Sequence, residues 1–282
     1  MNPQLRTISV RGLDLAVWDW PGEEPPLVFA HATGFHGRIW DRIIAQIPGR
    51  RALAIEARGH GRSSKPEPPY HWPEFGADLA AIAESLDITH AIGIGHSMGG
   101  HATARAAWLR PVTYSSLLLI DPTIFPPGLY GQPPLDATFT LRRKAVFESP
   151  DQMFHRFHKR EPFARWKPEI LHDYCNYGLL QTADHWNLAC PPAVEASIYH
   201  ESIAAEAGVH SELAQLSQPV VVMRAAILRK SGELDLAASP TDPELISYIP
   251  NAREIVLDGV SHYIPMEQPG RVAAEISALI SA

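Results

Sequence analysis

Residues 91–100 read AIGIGHSMGG, and this stretch decides the fold. Its first five residues are apolar or small, which is typical of a strand buried on both faces. The alanine-rich stretch 98–109 that follows predicts a helix. Between the two, GHSMG at 95–99 fits the pattern G-x-S-x-G, in which a serine stands on a sharp turn between strand and helix. We therefore predict that Ser97 stands exposed on such a turn.

The two flanking glycines have a steric reason. A side chain at Gly95 or Gly99 would collide with the strand and helix that cross at the turn. The serine backbone itself is expected to be strained, so that its hydroxyl stands clear of the sheet. The helix that begins near Met98 directs its N–H groups and its positive dipole end toward the site. Ser97 is therefore a candidate nucleophile, and the Met98 N–H is a candidate oxyanion donor.

Other buried-strand and helix patterns alternate along the chain and define the fold class. Two short strands are predicted within 5–20, with a turn at Arg11-Gly12. Uninterrupted apolar runs predict further strands at 27–31, 52–57, 91–95, 116–120, 219–225 and 253–257. Helical spacing of apolar residues occurs at 77–87, 98–109 and 270–281. Strand–helix alternation of this kind implies right-handed crossovers and an open α/β sheet.

The segment 122–213 interrupts the alternation. It begins with the proline-rich stretch PTIFPPGLYGQPP at 122–134, which cannot form regular structure. Helix-compatible pieces follow at 137–147, 151–158, 168–179 and 193–205. We predict a core domain of residues 1–121 and 214–282 and a helical insertion of residues 122–213. The chain has 26 prolines, and we expect them in loops and at the start of this insertion, with none inside a core strand or helix.

Composition narrows the classes of function. The net charge of −7 gives no bulk attraction to nucleic acid or to an anionic membrane. No apolar run approaches the ~18–20 residues of a spanning helix, and the N-terminus lacks a signal-peptide pattern. Cys175 and Cys190 read as reduced thiols. His155 and His158 lack a third metal ligand nearby. We expect a cytoplasmic protein that acts on a small molecule, with no cofactor, metal, nucleic acid or membrane partner; its oligomeric state is not predicted.

A serine nucleophile needs a base and a second oxyanion donor. A loop after the last predicted strand is where a mobile imidazole can reach the serine. His262 fits, because it lies in the loop DGVSHYIPMEQP directly after the strand 253–257. The loop HATGFHG at 31–37 follows the strand 27–31, and its small residues allow close approach of the backbone to a reacting carbonyl. The Thr33 N–H is our choice for the second donor.

Taken together, these motifs resemble those of the α/β-hydrolase superfamily. HATGFHGRIW (31–40) is similar to the family's His-Gly loop, with Ala32 where glycine is usual. EARGHGRSSKP (56–66) is similar to its Arg-Gly-x-Gly-x-Ser turn, with Glu56 where aspartate is common. GHSMGG and SHYIPMEQP resemble its serine turn and histidine loop. The resemblance implies a mostly parallel eight-stranded sheet with helices on both faces and a helical cap inserted after the sixth strand.

The carboxylate that orients the histidine departs from the usual pattern. In the family it commonly follows the strand 219–225 at a short spacing. Here that loop reads AILRKSGELDLAASPTDPE, with Glu233 and Asp235 further along. Some members, the haloalkane dehalogenases among them, carry the acid after the preceding strand, and Asp121 stands directly at the end of 116–120. We favour Asp121 and keep Asp235 or Glu233 as alternatives.

The resemblance implies a serine hydrolase that cleaves a carboxylester through an acyl-enzyme. Ser97 argues against dehalogenase and epoxide hydrolase chemistry, which uses an aspartate nucleophile in this fold. The insertion is rich in aromatic residues, so the cleft beneath it should suit an apolar or aromatic acyl group. The alternatives are carbon–carbon bond hydrolysis or acyl transfer on the same three residues, and a small-molecule sensor built on the same fold.

Overall fold

A computed structural model describes residues 2–227 and 235–282. The strands within these residues are β1 Gln4–Val10, β2 Leu13–Trp20, β3 Glu23–Ala30, β4 Arg50–Ile55, β5 Ala91–His96, β6 Tyr114–Ile120, β7 Val146–Phe147, β8 Leu179–Gln181, β9 Trp186–Leu188, β10 Val220–Ala225 and β11 Ala252–Leu257. The α-helices are α1 Asp41–Ile44, α2 Trp72–Ser85, α3 Met98–Leu109, α4 Thr138–Leu141, α5 Pro150–Phe157, α6 Pro168–Tyr177, α7 Pro192–His200, α8 His210–Leu213, α9 Ile264–Glu267 and α10 Pro269–Ile280.

Eight of the strands form one mostly parallel sheet, as predicted. Their order is β1-β2-β4-β3-β5-β6-β10-β11. Strand β2 pairs antiparallel with both β1 and β4, and every other pairing in this sheet is parallel. Strands β5 and β6 lie side by side near the middle, so the loops at their carboxyl ends meet at one edge of the sheet.

The sheet is covered on both faces, which explains the continuous apolar runs. On β6, Leu117 and Leu119 join one buried cluster with α2 and α3, whereas Leu118 and Ile120 join a second cluster with α10. Side chains alternate between faces along a strand, so a strand covered by helices on both sides must be apolar at every position. Within the described residues, no helix has both the length and the apolar character needed to cross a membrane.

The insertion between β6 and β10 is not wholly helical. Besides helices α4 to α8 it contains a three-stranded antiparallel sheet in the order β7-β9-β8. Strands of two or three residues are too short to show an alternating pattern, which is why the sequence does not reveal them. The helix predicted over 137–147 is reduced to the single turn α4. The domain division at residues 122 and 213 stays a prediction.

The expectation that no proline lies inside a core strand or helix is wrong. Pro25 and Pro26 lie within β3, where its pairing with β4 is irregular between Glu23 and Leu27. Proline lacks an N–H, so it is tolerated where a ladder is already interrupted. Several helices also carry proline in their first turn, where the backbone N–H has no intrahelical acceptor: Pro73, Pro150, Pro168, Pro192, Pro265 and Pro269.

Candidate active site

Ser97 lies on the tight turn between β5 and α3, in the predicted position. Its backbone has φ +57° and ψ −121°, a conformation that side-chain-bearing residues rarely adopt. A Cβ added at Gly95 would overlap the Gly99 carbonyl, and one added at Gly99 would overlap the Ala30 carbonyl. The two glycines therefore allow the close packing that forces this turn, and the turn lifts the serine hydroxyl off the sheet.

Ser97, His262 and Asp121 form a continuous hydrogen-bonded chain. His262 Nδ1 donates to Asp121 Oδ2 at 2.7 Å, because a carboxylate can only accept. His262 Nε2 is then free to accept from Ser97 Oγ, which lies 2.9 Å away. The exposed fractions are 7% for Ser97, 8% for His262 and 0% for Asp121. Three residues from distant parts of the sequence thus meet in one buried array.

Asp121 is held by the ends of two neighbouring strands. It follows β6 directly, and its φ of +41° turns the side chain back toward the sheet edge. Its Oδ1 accepts from the Ala225 N–H at 3.0 Å and from Ser239 Oγ at 2.7 Å, with Thr241 Oγ1 at 3.3 Å. These donors occupy Oδ1 and leave Oδ2 for the histidine. The carboxylate is therefore fixed in orientation before any substrate arrives.

The alternative acids occupy different positions. Asp235 is exposed, and its Oδ1 accepts from the Ala237 N–H at 2.8 Å. The Ala237 carbonyl in turn accepts from the His262 backbone N–H at 2.8 Å, so this loop touches the histidine through its backbone. Glu233 lies outside the described residues. Among the described carboxylates, Asp121 is the one that contacts the His262 ring.

The Met98 and Thr33 N–H groups stay the predicted donors to an oxyanion. Met98 is the first residue of α3, and the first N–H groups of a helix have no intrahelical acceptor. Thr33 is buried in the loop after β3 and lines the same cavity as Ser97. Within residues 2–227 and 235–282, the Thr33 N–H has no hydrogen-bond acceptor. Both groups are thus available to a ligand.

Thr123 also contacts the serine, and sequence reasoning missed it. Its Oγ1 lies 3.0 Å from Ser97 Oγ, and its backbone N–H donates to the Ser97 carbonyl at 3.0 Å. The available signal was its position two residues after Asp121, at the end of the strand next to β5. The ends of adjacent parallel strands meet, so a hydroxyl there could have been expected beside Ser97.

Buried histidines support the loops around Ser97. His60 Nε2 accepts from the Gly34 N–H at 3.0 Å, and His96 Nε2 donates to the His262 carbonyl at 2.9 Å. His31 joins the loop after β3 to the loop after β4. Burial lowers the pKa of His31, His60 and His96, which favours neutral rings. These three imidazoles therefore serve as hydrogen-bonding supports.

Glu56, the residue that replaces the more common aspartate, ties three segments together. It is fully buried, and its Oε1 accepts from Trp18 Nε1 at 2.9 Å. Its Oε2 accepts from the Arg62 N–H at 2.6 Å, within the turn that follows β4. The contact with the Arg62 N–H stabilises that turn, and the contact with Trp18 joins the turn to β2. The glutamate therefore has a structural explanation away from Ser97.

Ser97 and His262 open onto a cavity of about 630 Å³, counted together with its opening to solvent. The polar hydroxyls of Thr33 and Thr123 also line it. Its walls are mostly apolar or aromatic and come from both the core and the insertion: Phe35, Trp72, Phe125, Leu135, Tyr199, Leu236 and Tyr263. Such a cavity suits a small ligand whose contacts are largely apolar.

Two groups of potential metal-ligating side chains have other structural explanations. His158 stacks on Phe154, which stacks on His172 at 3.7 Å between ring centroids, so aromatic packing accounts for this stretch. Within the described residues, one trio brings its ligand atoms within 4.8 Å of one another: His71, Glu201 and Glu206. Two of the three are exposed, and ordinary ion pairing at 3.4 Å accounts for the group.

Comparison with known proteins identifies the family. The profile of the Alpha/beta hydrolase family matches residues 27–275. A non-heme chloroperoxidase of Streptomyces lividans is 37% identical over 97 residues, which cover 33% of this chain and 35% of that protein. The sn-1-specific diacylglycerol lipase ABHD11 of Danio rerio is 33% identical over 125 residues, 43% of this chain and 38% of the lipase. The matched segments thus span little more than a third of these relatives.

Solved structures agree in fold along the whole chain. The crystal structure of E-2-(acetamidomethylene)succinate hydrolase superposes with a TM-score of 0.79, covering 99% of this chain and 100% of that one at 20% identity. A likeness at this identity concerns the fold, whereas the family profile extends over most of the sequence. The chain therefore belongs to the alpha/beta hydrolase family.

Proposed function

We propose that the protein is a serine hydrolase that cleaves the carboxylester bond of a small apolar or aromatic substrate through an acyl-enzyme. The observation that carries this proposal is the hydrogen-bonded chain from Ser97 through His262 to Asp121, with the serine hydroxyl facing a largely apolar cavity. The lipase among the relatives supports ester cleavage as the reaction type. The proposed substrate is a small molecule because the cavity lies beneath the insertion.

In the first half-reaction Ser97 Oγ attacks the ester carbonyl carbon while His262 Nε2 takes the hydroxyl proton. Asp121 stabilises the imidazolium and keeps the proton on Nδ1. The carbonyl oxygen becomes an oxyanion, which accepts hydrogen bonds from the Met98 and Thr33 N–H groups. The intermediate then collapses: the bond to the alcohol oxygen breaks, and the alcohol leaves with the proton from His262.

In the second half-reaction a water molecule attacks the acyl-serine. His262 Nε2 takes one proton from the water, and the same two N–H groups hold the second oxyanion. When that intermediate collapses, the bond to Ser97 Oγ breaks and the serine recovers its proton from His262. The acid is released, and the protein returns to its starting state with one ester and one water consumed.

The test is hydrolysis of a panel of aryl esters by the unaltered protein and by Ser97→Ala. We expect acyl chains of several carbons or an aromatic ring to be preferred over charged acyl groups, and the substitution to lower kcat by about 10³-fold or more. Ser115→Ala, which removes an exposed serine on β6, serves as the matched control and should keep full activity.

Four outcomes would refute the proposal. Equal turnover by the protein and by Ser97→Ala would mean that the serine is not the nucleophile. Tight binding of a small molecule without turnover would favour the sensor alternative. Cleavage confined to a carbon–carbon bond, or release of product only when an alcohol acceptor is supplied, would assign the same residues to the other two reactions.

A further inference from the structure

A second cavity lies beside the Ser97 cavity, between the insertion and the loop after β3. It encloses about 570 Å³, counted together with its opening. The two cavities share five lining residues, so they lie directly beside one another: Thr33, Phe35, Tyr199, Leu236 and Tyr263. Arg143 and Glu195 line the second cavity and are its charged residues in the described part of the chain. An ion pair between a partly buried arginine and a buried glutamate, in the wall of an otherwise apolar cavity, calls for a reason.

The pair is built entirely from the insertion. Arg143 follows α4, Glu195 lies on α7, and Arg143 Nη1 donates to Glu195 Oε2. Arg143 Nη2 also donates to the Tyr174 hydroxyl on α6 at 3.3 Å. The Glu195 side chain is 5% exposed and the Arg143 side chain 23%. Apolar residues of the same volume stabilise a fold at least as well as such a pair, so stability alone does not explain its position.

The pair lies against the loop 31–37, which contains Thr33. Gly34 follows Thr33 and has φ +80°; a Cβ added there would lie 3.3 Å from Glu195 Oε1 and 3.6 Å from Arg143 Nη1. The ion pair is therefore next to the residue whose N–H is proposed to hold the ester carbonyl. A substrate bound at Ser97 would extend past this loop directly into the second cavity.

The groups around the pair are mostly hydrogen-bond donors. Within the described residues, the hydroxyls of Tyr199 and Tyr263 make no hydrogen bond, and both side chains line both cavities. Burial raises the pKa of each tyrosine, so both stay protonated. Arginine has five N–H donors, and Glu195 and Tyr174 engage one each. The second cavity thus offers several unused donors.

The charge of the combined space disfavours an anionic ligand. Among its described lining residues, the positive charge of Arg143 is balanced by Glu195, and Asp235 adds a further negative charge. A substrate carboxylate would meet no net positive field and would lie near Glu195. A carbonyl or hydroxyl oxygen would accept from the same donors without that repulsion.

We infer that Arg143, Tyr199 and Tyr263 form a subsite for an uncharged hydrogen-bond acceptor: a ketone, an amide carbonyl or a hydroxyl that the substrate carries away from its scissile ester. This inference rests on the proposed function, because the ester must be held at Ser97 for the rest of the substrate to reach the subsite. It adds one polar requirement to a cavity that is otherwise apolar. Arg143, Tyr199 and Tyr263 are specificity-determining residues on this account.

The test compares the hydrolysis rates of a matched set of esters, measured by the release of acid. Butyl hexanoate is the reference; an oxo group is moved along its acyl chain in one series and along its alcohol chain in the other, and the half-ester of hexanedioic acid carries a carboxylate. We expect at least one oxo ester to exceed the reference about 10-fold in kcat/KM, as an additional buried hydrogen bond would give. The carboxylated ester should not exceed the reference.

In each variant we measure the ratio of kcat/KM for the preferred oxo ester to kcat/KM for butyl hexanoate. Tyr199→Phe and Tyr263→Phe each remove one hydroxyl with little change in volume, and Arg143→Met with Glu195→Leu removes the pair without leaving one charge unpaired. Each should lower the ratio toward one. The matched control is Arg105→Met with Glu212→Leu, a partly buried pair between α3 and α8, which should leave the ratio unchanged.

The inference is overturned if no oxo ester exceeds the reference, if the carboxylated ester is preferred, or if the ratio survives in all three subsite variants. Ser97-dependent hydrolysis of butyl hexanoate with no oxo preference would contradict the subsite alone. If no ester shows Ser97-dependent hydrolysis, the proposed function fails. The subsite is then tested separately by binding. The same esters are titrated into Ser97→Ala, and binding is measured by the change in tryptophan fluorescence. Tighter binding of an oxo ester than of butyl hexanoate supports the subsite, and equal binding contradicts it.

Discussion

The carboxyl edge of the sheet and the insertion above it line the same cavity but hold their side chains differently. At the sheet edge, Ser97 and Asp121 follow β5 and β6 directly, and both have positive φ values. In the insertion, Arg143 and Tyr199 are held by side-chain contacts among short helices. Backbone placement fixes reacting atoms more tightly than side-chain packing does.

Substitutions in the two regions should therefore change different properties of the enzyme. A change at the sheet edge removes a group that stabilises the transition state, so it should lower kcat by orders of magnitude. A change in the insertion alters which substrate is accepted and should act mainly on selectivity.

The strongest prediction contrasts Asp121 with Asp235. Asp121→Asn keeps the size of the side chain but removes the charge that stabilises the His262 imidazolium and fixes its tautomer. We expect kcat to fall about 10³- to 10⁴-fold in steady-state ester hydrolysis. Asp235→Asn, at the exposed alternative carboxylate that lines the cavity, should have a much smaller effect, about 10-fold or less in kcat, because the Asp235 side chain does not contact the His262 ring.

A large loss in Asp235→Asn together with a small loss in Asp121→Asn would reverse the assignment of the acid. Equal losses in both would remove the contrast between the buried and the exposed aspartate. The double variant should behave like Asp121→Asn alone, since residues that act as one unit do not add.

Thr123 should have a smaller effect at the same edge. Its hydroxyl hydrogen-bonds to Ser97 Oγ, so Thr123→Val removes one polar partner of the nucleophile while preserving shape. We expect kcat to fall about 10-fold, as the loss of one hydrogen bond would give. Thr123→Ser keeps the hydroxyl and should retain most of the rate; full activity of Thr123→Val together with a loss in Thr123→Ser would show that the methyl group matters and the hydroxyl does not.

His101 tests the joint between the two regions. It lies on α3, and its Nε2 donates to the Ala207 carbonyl in the insertion at 2.8 Å. Burial lowers the pKa of His101 to about 4, against about 6.5 in an unfolded chain. Between these two pH values the unfolded chain binds one proton more than the folded one, so this group's contribution to stability is lost as the pH falls from about 6.5 to about 4.

The expected size is about 1.4 kcal/mol of unfolding free energy per pH unit. His101→Gln retains a donor for Ala207 but does not titrate. Between pH 6.5 and pH 4.5 the unfolding free energy of this variant, measured in urea, should therefore fall less steeply than that of the unaltered protein, by about 1.4 kcal/mol per pH unit. His200→Gln, at an exposed histidine of the insertion, is the control and should keep the original slope. Parallel slopes for all three proteins would contradict the assignment.

The two regions also differ in how far the sequence predicts them. The positions of Ser97 and His262 follow from glycines and strand ends, which leave clear local patterns. Asp121 could be favoured for the same reason, because a residue that ends a buried strand has a fixed place. Thr123 was missed although it lies two residues after Asp121, because a single hydroxyl in a loop belongs to no recognised motif and only its place near the strand end pointed to it. The meeting of Arg143 with Glu195 depends on how short helices pack, which no local pattern encodes.

The most direct test of the central claim is covalent labelling of the folded protein with a fluorophosphonate, followed by peptide mass spectrometry. We expect a single adduct, on Ser97. Prior unfolding in urea should abolish the labelling, and His262→Ala should greatly slow it, because the serine is reactive only when the imidazole can take its proton. Labelling that is absent from Ser97 in active protein, or that falls on another residue, would contradict the account.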